Sequence, residues 1–189
     1  MGNYGKCKRK IVFACIDSFL CKKKHQRDEN MDKQEIYQYL TEQGVHYEVT
    51  EHKAVFNMED VEALDMPYPN LSAKNLFVCD RKKNYYLITT KGDKRVDLKA
   101  FWEKNGLNRL SFASPDDLKA ILNLIPGAVT PLGLLNDEDS KVRYFLDAQL
   151  MGTLMGVHPN DNTATVWMQA EDLVNLIRQH GNEVNIVEI

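Results

Sequence analysis

Lys74 stands at the entrance of a β-rich run, where its ammonium is a candidate for chemistry. Leu76, Phe77 and Val78, and then Tyr85 to Thr89, have the aromatic and β-branched character of strands. The polar 80–84 between them reads as the turn of a hairpin. An ammonium carried into such a core can stabilise negative charge developing on a carbonyl or phosphate oxygen, acting electrostatically rather than as a nucleophile. On position alone, Lys74 is equally readable as an ordinary solvated strand-end lysine. His52 and His158 are the other candidates, and a lone histidine is as readily a hydrogen-bonded structural residue.

Other chemistries lack their spacing. No Gly-x-Ser-x-Gly elbow is present, and no motif supplies Cys79 with a base. His52, Asp137, His158 and Asp161 could be gathered around a metal, but neither His-x-x-x-His nor Cys-x-x-Cys occurs, so neither metal nor cofactor is expected. Cys7, Cys15 and Cys21 lack the close pairing of a zinc site, and with Cys79 they imply no disulfide framework, so a reducing cytoplasm is the expected location.

The elements that must position these residues follow from pattern. Residues 31–44 read as an amphipathic helix stopped by Gly44, and 45–49 as a strand with Val45, Tyr47 and Val49 inward. Residues 58–65 have a helical rhythm with acids in the first turn, and Pro67 and Pro69 make 67–70 a loop that delivers the chain to Lys74. Residues 96–106 read as a helix ending at Asn105-Gly106. Ser114 reads as the N-cap of another, with Pro115 at its first position and acids behind it. Gly127 to Gly133 are small and permissive, which suits a backbone that approaches a ligand closely and equally suits a plain loop. Strands are expected at 110–113, 142–146, 163–168 and 183–189, with a helix over 170–181. Helices mixed with strands, without a regular βαβ repeat, argue an α+β fold with a mixed, largely antiparallel sheet.

A chain of 189 residues, 43% hydrophobic and 27% charged, suits one globular domain, and no stretch approaches the roughly 18 apolar residues of a membrane span. Its charge is uneven. Residues 1–30 carry eight Lys and Arg against three acids, while the remainder is net −8 within a total of −3. Met31 opens the domain, and Arg27 to Asn30 could be encoded by a purine-rich stretch resembling a bacterial ribosome-binding site. Residues 1–30 are therefore expected to be disordered or absent from the native chain, leaving 31–189 as the domain. Inside that acidic body, 74–109 holds ten basic side chains against four acidic ones, a stripe that can face phosphates, with Arg81, Lys82, Lys83, Lys94 and Arg95 as its candidate contacts.

Four segments in order carry a resemblance: Glu51-His52-Lys53-Ala54-Val55-Phe56, Lys74-Asn75-Leu76-Phe77, the run PGAVTPLGLLND at 126–137, and HPNDNTAT at 158–165. Together they resemble the YbaK/ProX family of aminoacyl-tRNA editing domains, over residues 31–189, and within it the free-standing prolyl-tRNA editing branch. The resemblance implies a curved, barrel-like sheet flanked by helices and hydrolysis of mischarged Ala-tRNA(Pro), with Cys-tRNA(Pro) deacylation or a non-catalytic tRNA- or amino-acid-sensing module as alternatives. It implies that Lys74 is the essential residue, that the tRNA's own ribose hydroxyl helps activate water, and that His52, Val55, Phe56, Asn75, Gly127, Ala128, Thr130, His158 and Asn162 line the pocket. A small pocket would admit alanine and exclude proline by bulk. The implied partners are the acceptor end of tRNA(Pro) and prolyl-tRNA synthetase, with neither membrane nor DNA.

Overall fold

The computed structural model describes residues 8–12, 31–55, 64, 66–68 and 70–189. Phe56 and all but Leu64 of the helix expected at 58–65 lie outside the described residues. Of the basic leader, the described part is strand β1 (Lys8–Val12), which runs antiparallel to β2 (Tyr47–Glu51), with Lys8 opposite Glu51 and Val12 opposite Tyr47.

Helix α1 (Lys33–Glu42) begins at a capping box: the Asp32 carboxylate accepts from the backbone of Gln34 and Glu35, and the Asp32 amide donates to the Glu35 carboxylate. Its Ile36 and Leu40 are buried. The expected hairpin is present as β3 (Ala73–Cys79) and β4 (Tyr85–Lys91). Then come α2 (Leu98–Lys104), capped by Asp97, the two-residue strand β5 (Ser111–Phe112), and α3 (Pro115–Leu122), capped by Ser114 with Pro115 in its first turn. A 3-10 turn over Pro131–Asn136 leads to β6 (Val142–Asp147), a second over Ala148–Leu150 to β7 (Leu154–Val157) and β8 (Ala164–Gln169), and α4 (Ala170–His180) precedes β9 (Val184–Val187).

These strands form two sheets. One has the order β1-β2-β8-β7 and is antiparallel throughout. The other has the order β5-β3-β4-β6-β9; its first two pairings are antiparallel, but β4·β6 and β6·β9 are parallel. The expected α+β class with a mixed sheet is therefore present. The expected barrel-like sheet needs correction, because no closed barrel is found among the described strands. Among the described residues the two sheets are instead paired at one point, a parallel bridge between Ser72 and Gly156, where the Gly156 amide donates to the Leu71 carbonyl at 2.8 Å.

The main core lies on one face of both sheets. Tyr47, Val49, Phe77, Leu87, Tyr144, Val166 and Met168 pack there against Ile36 and Leu40 of α1, Leu118 and Leu122 of α3, and Leu173 and Ile177 of α4. On the other face of the five-stranded sheet, Val78, Tyr86, Ile88 and Phe145 pack against Phe101 of α2. Successive strand residues alternate between faces, so Asn75 shares the main-core face with Phe77, while Lys74 shares the opposite face with Leu76 and Val78.

Candidate functional site

The chain leaving β2 remains clipped to the chain entering β8. The His52 amide donates to the Thr163 carbonyl at 2.9 Å, the Val55 amide to the Asn162 carbonyl at 3.1 Å, and the buried Asn162 side-chain amide to the Val55 carbonyl at 2.8 Å. This fixes the His52 ring. Its Nδ1 lies 2.7 Å from the Lys53 carbonyl, which can only accept, so Nδ1 carries the proton; Nε2, 3.0 Å from Thr165 Oγ1, accepts from that hydroxyl. Both nitrogens of His52 are engaged.

His158 is held differently. Its Nδ1 donates to the Ala164 carbonyl at 2.9 Å, which leaves Nε2 as a bare lone pair with no protein partner among the described residues. Burial pushes the imidazole's pKa below its ordinary value, opposed by the Ala164 carbonyl, reinforced by His52, and opposed again by Asp161. The two imidazoles stand 6.2 Å apart between centroids, tilted by 59°. Thr130, itself buried, donates to the His158 carbonyl at 2.6 Å and caps the 3-10 turn that follows it.

Asn75 joins from the five-stranded sheet. Its amide donates to the Val129 carbonyl at 3.1 Å and its carbonyl accepts from Thr89 at 2.7 Å, tying the 127–130 loop to β3. Gly127 has φ +88°, a left-handed conformation that favours glycine, and Ala128 is buried behind it. Asn75, Gly127, Ala128, Thr130, His158, Asn162, Val55 and His52 are thus linked into one neighbourhood by chain continuity and direct hydrogen bonds.

Lys74 reaches that neighbourhood by a different route. It is half-buried and makes no hydrogen bond or ion pair among the described residues. It shares its strand face with Ser72, the residue bridged to Gly156 on β7. A Cβ added at Gly156 would lie 2.4 Å from the Trp167 ring and 2.9 Å from Thr165 Cγ2, so this face continues onto the Thr165 and Trp167 side of β8. Thr165 in turn holds His52. Trp167 is fully buried, donates from Nε1 to Thr50 at 2.9 Å, and receives the Tyr68 ring edge-on at 5.1 Å. Ser72, Gly156 and Thr165 were not singled out from the sequence; the alternation of 163–168 puts Thr165 on a strand, but its partner lies 113 residues away.

The expected basic stripe divides. Lys94 donates to the buried Asp147 carboxylate at 2.6 Å, and burial of Asp147 is outweighed by Lys94, Gln149 and Thr90, which keep its pKa low. Lys94 is thus ion-paired and partly buried, while Arg95 beside it is exposed. Arg81, Lys82 and Lys83 are exposed at the far end of the hairpin, and Lys83 is ion-paired with Asp117 at 2.7 Å. Five strand residues, about 17 Å, separate Lys74 from that turn.

Among the described residues no three His, Cys, Asp or Glu side chains group as metal ligands, and no helix is long and apolar enough to cross a membrane. Among the described residues, the arrangement is one ammonium without a partner, one imidazole whose Nε2 has none, and a loop of small residues tied to Asn75.

Residues 52–176 match the family model described as the aminoacyl-tRNA editing domain. The chain is 39% identical over 159 residues to prolyl-tRNA editing protein ProX of Acetoanaerobium sticklandii, covering 83% of this chain and 97% of that one. It is 30% identical over 155 residues to prolyl-tRNA synthetase associated domain-containing protein 1 of Mus musculus, covering 79% and 91%. In fold it is similar to the crystal structure of a proposed trans-editing enzyme for prolyl tRNA synthetase, with a TM-score of 0.61 at 20% identity over 85% of this chain and 99% of that one.

Proposed function

This chain belongs to the aminoacyl-tRNA editing domain family, and from that premise we propose that it hydrolyses mischarged Ala-tRNA(Pro) in trans, releasing alanine and tRNA(Pro), with Lys74 as the catalytic charge. The observation that carries the reading is an ammonium without a counterion among the described residues, on the strand face that continues to His52.

The reaction needs no acyl-enzyme. Water adds to the ester carbonyl carbon, the carbonyl oxygen becomes anionic, and the bond to the ribose oxygen breaks. That oxygen takes a proton, and the amino acid leaves as its carboxylate. Lys74 lowers the barrier by facing the charge as it develops, in a half-buried position where water screens it less than in bulk. A neutral His158 suits a substrate that carries an α-ammonium: its free Nε2 accepts a hydrogen bond, whereas an imidazolium would repel the ligand. His52, with both nitrogens engaged, shapes the wall instead. Ala128 and Thr130, buried members of the 127–130 loop, support a sieve in which the proline ring is excluded by bulk rather than by weak binding. Arg81, Lys82 and Arg95 are exposed, which supports them as contacts to the acceptor-end backbone, with prolyl-tRNA synthetase as the partner that supplies the charged tRNA.

The test is hydrolysis of Ala-tRNA(Pro), Cys-tRNA(Pro) and Pro-tRNA(Pro) by the wild-type chain and by Lys74→Ala. Release of alanine alone, lost in the variant, is expected. Release of cysteine instead would move the substrate, and no release of either by folded protein would overturn the enzyme reading. Activity surviving in Lys74→Ala would remove Lys74 from the mechanism.

A further inference from the structure

Ser72 carries a hydroxyl that the fold does not use. The residue is 8% exposed, and its Oγ is buried without a hydrogen-bond partner. Its backbone is committed: the Ser72 carbonyl accepts from Gly92 at 3.0 Å, extending the β3·β4 ladder, and the residue forms the bridge to Gly156. The space at that bridge calls for a small residue, because Gly156 already lies tight against Trp167 and Thr165. Alanine would meet that steric demand equally well. Burying a hydroxyl without a partner costs stability, so the oxygen itself calls for an explanation outside the folded chain.

The position supplies one. Ser72 and Lys74 are two residues apart in extended chain and point to the same side, about 7 Å apart at their Cα atoms. Neither side chain has a protein partner among the described residues. The face they share continues through Gly156 to Thr165, whose hydroxyl orients His52. A donor beside an unpaired ammonium, both half or fully withdrawn from water, forms a site for an oxygen that bears negative charge. A substrate ammonium would be repelled from this end of the site, and the neutral His158 is available to receive it.

We propose that the Ser72 hydroxyl is a substrate contact, donating with Lys74 to an anionic oxygen of the aminoacylated 3′ end. The assignment rests on the deacylase reading above. Ser72 transfers no proton and forms no bond to the substrate; it contributes one hydrogen bond to the oxygen that Lys74 also faces. Two oxygens have this chemistry, the ester carbonyl as it becomes an oxyanion and the terminal phosphate, and steady-state kinetics separates them. A contact made in the transition state appears in kcat, and one made equally in the ground state appears in KM.

The experiment compares wild-type chain, Ser72→Ala and Lys74→Ala in hydrolysis of Ala-tRNA(Pro) and Cys-tRNA(Pro), with the melting temperature of each. Ser72→Ala is expected to lower kcat/KM by about 10- to 100-fold while its melting temperature stays level or rises, because an unsatisfied hydroxyl has been removed. Loss in kcat assigns Ser72 to the carbonyl oxygen, and loss in KM assigns it to the phosphate. Activity within about twofold of wild type would overturn the proposal while leaving the deacylase reading in place, as would a lowered melting temperature that accounts for the lost activity. A folded wild-type chain that releases neither amino acid would overturn both.

Discussion

The two ends of the β3·β4 hairpin treat polar groups in opposite ways. At the turn, the buried Asp80 carboxylate accepts four hydrogen bonds, from the Lys82 and Asn84 amides at 2.8 and 3.0 Å and from the Asn84 and Asn108 side chains at 2.8 Å each. Nearby, Asp117 is held well below the usual carboxylate range by Lys83, Ser114 and Tyr85. At the other end, Lys74 is half-buried and the Ser72 hydroxyl buried, and neither has a partner among the described residues. A polar cluster that satisfies itself holds a turn in shape and has no capacity left for a ligand. A cluster left open loses stability in the free protein and offers that capacity to whatever binds.

Substitution at each end should therefore damage different properties. Lys74→Ala, the largest expected effect, should lower kcat for deacylation by about 10²- to 10³-fold with little change in melting temperature, read by single-turnover hydrolysis and thermal denaturation. Asp80→Ala should do the reverse: leaving Asn84, Asn108 and two amides without their acceptor costs about 2–3 kcal/mol in chemical denaturation, with kcat of the folded protein unchanged. A Lys74 variant that unfolds, or an Asp80 variant that loses turnover while folded, would break the contrast.

Smaller effects sharpen it. Thr165→Val keeps the shape and removes the donor to His52 Nε2, and the loss of one such bond, about 1 kcal/mol, should appear as a roughly fivefold lower kcat/KM. Acid should distinguish the ends by the pH at which each weakens the fold. His158 has a lowered pKa in the folded state, so the unfolded chain binds more protons just below about 6.5, and stability declines as pH falls through that region. Asp80, which burial raises but the Asn108, Asn84 and Lys82 hydrogen bonds bring down to about 2, contributes stability that is present above about 4 and is lost as pH falls toward 2. A melting-temperature profile against pH should show both declines, and His158→Asn should remove the upper one only.

Much of the scaffold was legible because its signals are local. Ser114 and Pro115 announced α3, the polar run at 80–84 announced the hairpin turn, and the alternation of 163–168 announced β8 within one residue of its ends. The pairings were not legible. Nothing in the sequence near Tyr85 or Val142 says that β4 and β6 run parallel, and the strand order follows from burial on a shared core rather than from any turn. The candidate site was half legible for the same reason. Lys74, His52 and His158 stand out by type, but the Ser72–Gly156 bridge that puts Lys74 on the His52 side joins residues 84 apart in sequence, and Thr165 looks like any other strand threonine. The Lys94–Asp147 ion pair was not legible either, because its members lie 53 residues apart in sequence.

That single bridge also makes the site a seam. Lys74 belongs to the five-stranded sheet and His52 directly follows β2 of the four-stranded one, and among the described residues the sheets are paired to each other only at Ser72 and Gly156. Local opening of a native protein follows its weakest pairing, so the Gly156 amide, bonded to Leu71 across the join, should exchange with solvent sooner than amides deep in β4 or β8. A ligand that touches both sides then acts as a staple, and slower exchange at Gly156 reports occupancy of the site without any chemistry taking place.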